Sequence, residues 1–299
     1  MSDLEVECGD YTDNIYEIQD LCANQHKLDP YTKNYIRIFA RRHIIIEYFL
    51  DLHFKLNTQY KTLHLAISSF DKFMSIIDES QNEVLNPVEI TKISLVAFYV
   101  SYKYQEMFTL TIEMLQKYFI KNSCDFEKEE FIRLESLFLK TINFKFYYVN
   151  MHSFHECFYD YLLLQEIYRP DENCEFKIFI NDLMELNARV LTVIISLKDF
   201  MFVNDTRENF DSLKISQLAV VSLKISILFF DSRLEEKQKK LKKMNMKMTE
   251  FFSISHSENL NLNRSALNLF FYIKDMMKKD DRKIYRGLKE ICRNYNLDL

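Results

Sequence analysis

Glycine and proline are scarce in this sequence. The 299 residues contain 2 glycines and 3 prolines, whereas average usage would give roughly 20 and 15. Tight turns, bulges and hairpins depend on glycine for positive φ values, so a β-rich or α/β fold is not expected. Nucleotide-binding enzymes cradle phosphates in loops of clustered glycines, and the scarcity argues against those classes. The composition instead predicts helices joined by short polar loops.

Several functional signals are also missing. The net charge is -5, whereas nucleic-acid binders usually carry a basic excess. We interpret the one lysine-rich stretch, Arg233–Lys247, as a solvated helix face or loop. The six cysteines show no metal-binding spacing, and we interpret His152 and His155 as surface or loop histidines rather than metal ligands. Scattered cysteines are typical of a reducing compartment.

These absences exclude further kinds of function. No nucleophile–base set can be assembled from the sequence, so we expect a protein that is not an enzyme. We expect no metal and no cofactor, and no nucleic-acid partner. We also expect no membrane partner, because no apolar run reaches the roughly 18 residues needed to span a bilayer.

Apolar residues recur every three or four positions in three segments, which predicts amphipathic helices at 35–54, 62–77 and 131–142. Two other segments, 87–104 and 212–230, are apolar on nearly every face. Such helices are surrounded by others, as is the central helix of a bundle.

The two apolar segments indicate two copies of one helical bundle. A shift of 125 residues aligns Ile90, Ile93, Val96 and Val100 with Ile215, Leu218, Val221 and Ile225. The predicted domains are an N-terminal extension with a helix at 1–30, a first bundle at 31–150, a second bundle at 151–262 and a helical tail at 263–299.

Four charged residues interrupt the apolar stripes, and each needs a partner or a place at the edge of the bundle. We interpret Arg42 and Asp71 as an internal ion pair that joins two helices. The 125-residue shift places Leu228 opposite Lys103, so the fold itself does not require a lysine there. We therefore expect Lys103 and Glu135 to bind backbone groups of a partner. The alternative for Lys103 is a side chain that reaches solvent from a helix end.

Four stretches around these residues resemble the cyclin box. They are Arg41–Tyr48 (RRHIIIEY), Thr62–Ser75 (TLHLAISSFDKFMS), Ser101–Glu106 (SYKYQE) and Arg133–Phe144 (RLESLFLKTINF). Their order and spacing fit the family, apart from a few extra residues between the third and the fourth. Upstream, Tyr11–Leu21 resembles the helix that precedes the box in A- and B-type cyclins. The resemblance covers about residues 11–150 and is fainter over 176–232.

The resemblance implies an all-α fold of two tandem five-helix cyclin boxes, with an N-terminal helix and a C-terminal helical tail. It implies that Arg42 and Asp71 form the internal pair and that Lys103 and Glu135 bind the kinase. The protein would form a heterodimer with a cyclin-dependent kinase and activate it in cell-cycle control. We accordingly expect it in the nucleus and the cytoplasm.

The family also implies an apolar groove that docks kinase substrates or inhibitors. Its residues here would be Arg41, Ile44, Ile45, Tyr48, Ile90 and Thr91. Arg41 stands where the family has methionine, and Tyr48 stands where it has tryptophan. We therefore expect groove binding to be weakened or altered.

Two other functions remain open. The first is a cyclin-fold transcription factor of the factor IIB kind, which would need basic surfaces for promoter DNA. The second is a helical scaffold without a kinase partner, for which charge changes at Lys103 and Glu135 would have no effect.

Overall fold

The computed structural model describes residues 42–80, 87–119, 127–146, 151–167, 174–201, 215–231, 235–252, 254–295 and 297. All regular secondary structure in these ranges is helical, which confirms the predicted all-α class. The expected N-terminal helix and Arg41 lie outside the described residues.

The helix Pro87–Gln105 is the centre of the first bundle. The helices described in this bundle are α1 (Arg42–Leu56), α2 (Tyr60–Ser80), α3 (Pro87–Gln105), α4 (Ile112–Phe119) and α5 (Lys128–Thr141). Helix α3 contacts α1, α2 and α5, and Leu95, Val96, Ala97 and Phe98 are all fully buried. Four consecutive buried residues require neighbours on every side, which explains why this segment is apolar all round.

Helix α8 has the same place in the second bundle. The helices described here are α6 (Met151–Ile167), α7 (Cys174–Met201), α8 (Ile215–Asp231), α9 (Glu235–Phe251) and α10 (His256–Lys279). Helix α8 contacts all four of the others. Val221 and Ile225 are fully buried. Their counterparts in α3 are Val96, which is fully buried, and Val100, which is 5% exposed. The lysine-rich stretch lies mainly in α9, where Lys242 is exposed.

Helix α10 spans the residues at which the sequence predicts the start of the helical tail. The Ser255 hydroxyl accepts a hydrogen bond from the Glu258 N–H and caps the start of α10. This helix then continues through residues 262 and 263, where the sequence places the start of the tail, because its buried face packs on α8. Helix α10 ends at Lys279, and residues 280–282 connect it to α11 (Lys283–Asn294). The domain bounds themselves stay predictions.

The two bundles meet where α1 and α2 pack against α6 and α7, and α11 lies against both α1 and α7. The Arg189 guanidinium of α7 lies between the rings of Phe54 and Tyr60, 5.0 and 5.2 Å from their centroids. A Cβ atom at Gly287 would lie 3.2 Å from Arg189 Nη1. One of the two glycines in the chain thus lets α11 approach this seam closely.

Candidate partner-binding surface

Lys103 and Glu135 form an ion pair at the surface, between α3 and α5. Lys103 Nζ lies 2.8 Å from Glu135 Oε1, and the two side chains are 49% and 16% exposed. Burial lowers the pKa of Lys103, but the hydrogen bond and charge of Glu135 outweigh it and raise this pKa above its ordinary value. An ammonium has three N–H groups and a carboxylate has about four acceptor sites, so the pair can also bind an incoming backbone.

Aromatic and aliphatic side chains neighbour this ion pair along α3 and α5, and the Lys103 ammonium lies 5.0 Å from the centroid of the Tyr99 ring. Tyr104 follows Lys103 at the end of α3, is largely exposed, and stacks on Phe146 with 5.6 Å between the ring centroids. Ile132 is also exposed and lies one turn before Glu135 on the same face of α5. Exposed apolar side chains therefore accompany the two charges, and a partner that excluded water from the charges would strengthen their attraction.

Phe144 is another exposed aromatic residue, in the turn just after α5. Asn143 and Phe144 both have a φ of 55°, a left-handed conformation that costs a bulky residue about 1–3 kcal/mol. The Phe144 N–H donates to the Leu139 carbonyl at 2.8 Å, which fixes the turn and leaves the ring exposed. Sequence reasoning missed Tyr104 and Phe144, although both belong to stretches that resemble the cyclin box.

Arg42 and Asp71 make a two-point ion pair between α1 and α2. Arg42 Nε donates to Asp71 Oδ1 at 2.8 Å, and Nη2 donates to Oδ2 at 2.7 Å. Arg42 Nη1 also donates to the Ile195 carbonyl of α7 at 2.9 Å. One buried guanidinium thus joins two helices of the first bundle to the second bundle.

The residues expected to form the docking groove are not equally accessible. Ile44 is 55% exposed, but Ile45 and Ile90 are buried in the core. Tyr48 and Thr91 are partly buried. Ile44 is thus the main apolar contribution of the described residues to this surface, and the groove stays a prediction.

The C-terminal helix α11 is attached to α1, the helix that also carries Ile44 and Tyr48. The Glu47 carboxylate accepts hydrogen bonds from the N–H groups of Lys283 and Ile284, at 3.2 and 3.3 Å. The Lys283 ammonium forms an ion pair with Asp51. A carboxylate at a helix N-terminus satisfies free N–H groups and complements the helix dipole, so Glu47 caps α11 from a distant part of the chain.

The expectation that His152 and His155 lie on the surface or in a loop is wrong. Both belong to α6, and His152 is buried between the rings of His64 and His155, 5.1 Å from each centroid. The Asn187 amide of α7 donates to His155 Nδ1 at 2.8 Å. Burial lowers the pKa of His64 to about 3 and that of His155 to about 4, and it lowers the His152 pKa as well. These histidines are neutral parts of the seam between the bundles.

Two other kinds of site were sought in the described part of the chain. Within it, no group of three or more His, Cys, Asp or Glu residues is arranged to hold a metal ion. None of the helices described there combines the length and apolar character needed to cross a membrane.

The first bundle matches a known domain. Residues 11–147 match the family model described as "Cyclin, N-terminal domain". The G2/mitotic-specific cyclin-B2 of Oryzias luzonensis is 23% identical over 145 residues, which are 46% of this chain and 34% of that protein. The putative cyclin-B3-1 of Arabidopsis thaliana is 24% identical over 147 residues, 47% of this chain and 34% of that protein. The matched region therefore spans about a third of the length of these relatives.

The fold extends the similarity beyond the first bundle. A viral cyclin from herpesvirus saimiri superposes with a TM-score of 0.54 at 12% sequence identity, and the match covers 83% of this chain and 94% of that one. This superposition shows a cyclin fold. Residues 11–147 thus resemble the N-terminal domain of cyclins, and the described helices share the fold of a viral cyclin.

Proposed function

We propose that this chain binds a cyclin-dependent protein kinase as a regulatory subunit and activates it in cell-cycle control. The observation that carries the proposal is the Lys103–Glu135 pair at the surface, with exposed Tyr104, Ile132 and Phe144 on the same two helices and the turn after them. The ammonium would donate to kinase backbone carbonyls, and the carboxylate would accept from backbone N–H groups. The apolar rim would shield these bonds from water.

Activation would be a shift in the populations of kinase conformations. A kinase of this class alone rests with its movable helix and its activation loop misplaced. A subunit that binds the competent arrangement more tightly raises its population. Phosphoryl transfer remains the chemistry of the kinase, and this chain would supply only binding energy. A location in the nucleus and cytoplasm is part of the same proposal.

Capture of kinases from a native lysate tests the proposal. The baits are the wild-type chain and a Lys103→Ala/Glu135→Ala variant, with captured kinases identified by mass spectrometry and assayed on histone. We expect the wild type to retain an active cyclin-dependent kinase and the variant to lose it.

A matched control uses an ion pair of similar length far from this surface. Lys279 and Asp275 are 2.7 Å apart and exposed on α10, so Lys279→Ala/Asp275→Ala should capture as much kinase as the wild type. Equal capture by all three baits would mean that Lys103 and Glu135 are not the contacts. Capture of no kinase by the wild type would contradict the proposal and favour a scaffold, or a transcription factor if the chain binds promoter DNA at moderate salt.

A further inference from the structure

Helix α10 of the second bundle carries a row of apolar side chains on its solvent side. Leu260, Leu267 and Phe271 are 57%, 42% and 63% exposed. Each of the other described helices of this bundle has at most one large hydrophobic residue of comparable exposure, Ile178 in α7 and Met246 in α9. Single exposed apolar residues are ordinary, whereas a row of them on one face is typical of an interaction surface.

The spacing of these three residues places them on one face of the helix. Leu267 follows Leu260 by seven residues and Phe271 follows Leu267 by four, so they lie within about 40° of one another around the helix axis. The opposite face, which includes Leu262 and Leu269, is buried and packs on α8. Helix α10 thus has an apolar core face and, across from it, an exposed apolar stripe made of Leu260, Leu267 and Phe271.

Two opposite charges lie along one edge of this stripe. Arg264 and Asp275 are both exposed, and their separation of eleven residues places them within about 20° of each other around the axis. Leu267 and Phe271 lie on either side of the midpoint between the two charges. Arg264 forms no ion pair with a described residue. Asp275 pairs with Lys279 at 2.7 Å, but a carboxylate has about four acceptor sites and can also bind a second cation.

The arrangement of charges and apolar residues is complementary to itself. If two such helices pack antiparallel about a two-fold axis through that midpoint, Arg264 of each copy comes opposite Asp275 of the other. Both residues stay on the same side of the contact, because a two-fold axis perpendicular to the helices preserves that side. Leu267 and Phe271 of both copies then meet at the axis, where the contact excludes water best.

The lysines of the same helix meet no cation in this pairing, because the residues opposite them carry no charge. In order, Lys274, Lys278 and Lys279 of one copy come opposite Ser265, Asn261 and Leu260 of the other. The long aliphatic part of a lysine can cover an apolar neighbour while its ammonium stays in water. The antiparallel pairing therefore gains two ion pairs without placing like charges together.

The geometry points to a second copy of this chain as the partner of the stripe. Helix α10 of the two copies packs antiparallel, with Leu267 and Phe271 at the centre and an Arg264–Asp275 ion pair towards each end. A contact limited to one helix of each copy is small beside the roughly 1,200–2,000 Å² of a stable interface, so we expect a weak dimer with a Kd of about 10–100 μM. The inference does not rest on kinase binding, because the surface proposed for the kinase belongs to the first bundle.

Charge reversal tests this pairing. Sedimentation velocity at up to about 300 μM would compare the wild type with Arg264→Glu and with Asp275→Arg. Each variant alone places like charges opposite each other at two points of the dimer and should dimerise about tenfold more weakly. Lys128→Glu makes the same change in net charge as Arg264→Glu at an exposed position of the first bundle and should dimerise like the wild type.

An equimolar mixture of the two charge variants is the decisive sample. In a mixed dimer the introduced glutamate faces the introduced arginine, and native Asp275 of one chain faces native Arg264 of the other. The mixture should therefore dimerise about as well as the wild type, although neither variant does so alone. Recovery of association in the mixture would also show that both variants are folded.

The apolar centre has its own test. Leu267→Ala/Phe271→Ala removes apolar area that the dimer buries and should weaken dimerisation about tenfold or more. Ile178→Ala/Met246→Ala truncates comparably exposed side chains elsewhere in the second bundle and should leave it unchanged.

Three results would overturn the inference. The first is a wild type that stays monomeric throughout this concentration range, and if Leu267→Ala/Phe271→Ala then captured less kinase, the stripe would belong to the kinase contact instead. The second is a dimer that persists unchanged in Arg264→Glu and in Leu267→Ala/Phe271→Ala, which would place the dimer contact on another surface. The third is a mixture of the charge variants that associates no better than either variant alone.

Discussion

The ion pair between Arg42 and Asp71 allows a quantitative test of how the fold is held together. Asp71→Ala removes both carboxylate oxygens, which lie 2.8 and 2.7 Å from the guanidinium nitrogens. Arg42 is 4% exposed, so its charge would remain buried. Its hydrogen bond to the Ile195 carbonyl would remain, but its two charge-assisted hydrogen bonds to Asp71 would be lost.

The expected cost is large. Removing one partner of a buried ion pair destabilises proteins by about 3–5 kcal/mol, while whole domains are stable by only about 5–15 kcal/mol. Replacing both residues of a buried ion pair by apolar ones is often close to neutral. The double variant Arg42→Met/Asp71→Leu should therefore be more stable than Asp71→Ala, although it contains one more substitution.

Urea unfolding followed by circular dichroism measures this order. The midpoint should fall most for Asp71→Ala and recover substantially in the double variant, with little change in the slope. Lys128→Ala/Glu113→Ala removes an exposed pair 2.7 Å long and should unfold at the same midpoint as the wild type. A loss below about 1 kcal/mol for Asp71→Ala, or a double variant no more stable than the single one, would refute the reasoning.

Two further predictions concern the seam between the bundles and the C-terminal helix. The folded-state pKa values of His64, His152 and His155 lie below the ordinary value of about 6.5. Below that pH the unfolded chain binds more protons than the folded chain, so the free energy of unfolding falls as the pH drops from about 6.5 towards 4. His152→Phe should lower the pH dependence of the free energy of unfolding by up to about 1.4 kcal/mol per pH unit. Urea unfolding at several pH values measures this, and an unchanged dependence would show that His152 is not a source of it. Glu47→Ala removes the cap of α11 and should destabilise that helix by about 1 kcal/mol, measured as faster amide hydrogen exchange in 283–294. Glu290→Gln, at an exposed position of the same helix, is the control, and equal exchange in the two variants would argue against capping.

Much of the helical framework could be predicted from the sequence. Apolar spacing indicates the cores of α1, α2, α3, α5 and α8 because the buried face of a helix repeats every three to four residues. The all-round apolar character of α3 and α8 even indicates which helices are central. The charges on apolar stripes could also be recognised, since a charge among buried positions needs a partner.

Other features depend on contacts that leave no local pattern. The bond from Arg42 to Ile195 joins residues 153 positions apart, and its acceptor is a backbone carbonyl that every residue carries. His152 is polar by type, and only the approach of α2 to α6 buries it against His64. Met107 and Phe108 are residue types typical of a core and yet are 97% and 81% exposed, which no local sequence pattern indicates.

Reconstitution of a purified kinase tests the central claim most directly. The inactive catalytic subunit identified by capture would be titrated with this chain, and histone phosphorylation would be measured. If about 1% of the free kinase has the competent arrangement, saturation should raise activity about a hundredfold. Lys103→Ala/Glu135→Ala should shift the titration to much higher concentrations. Saturable binding without any rise in histone phosphorylation would contradict activation and leave a chain that only holds the kinase.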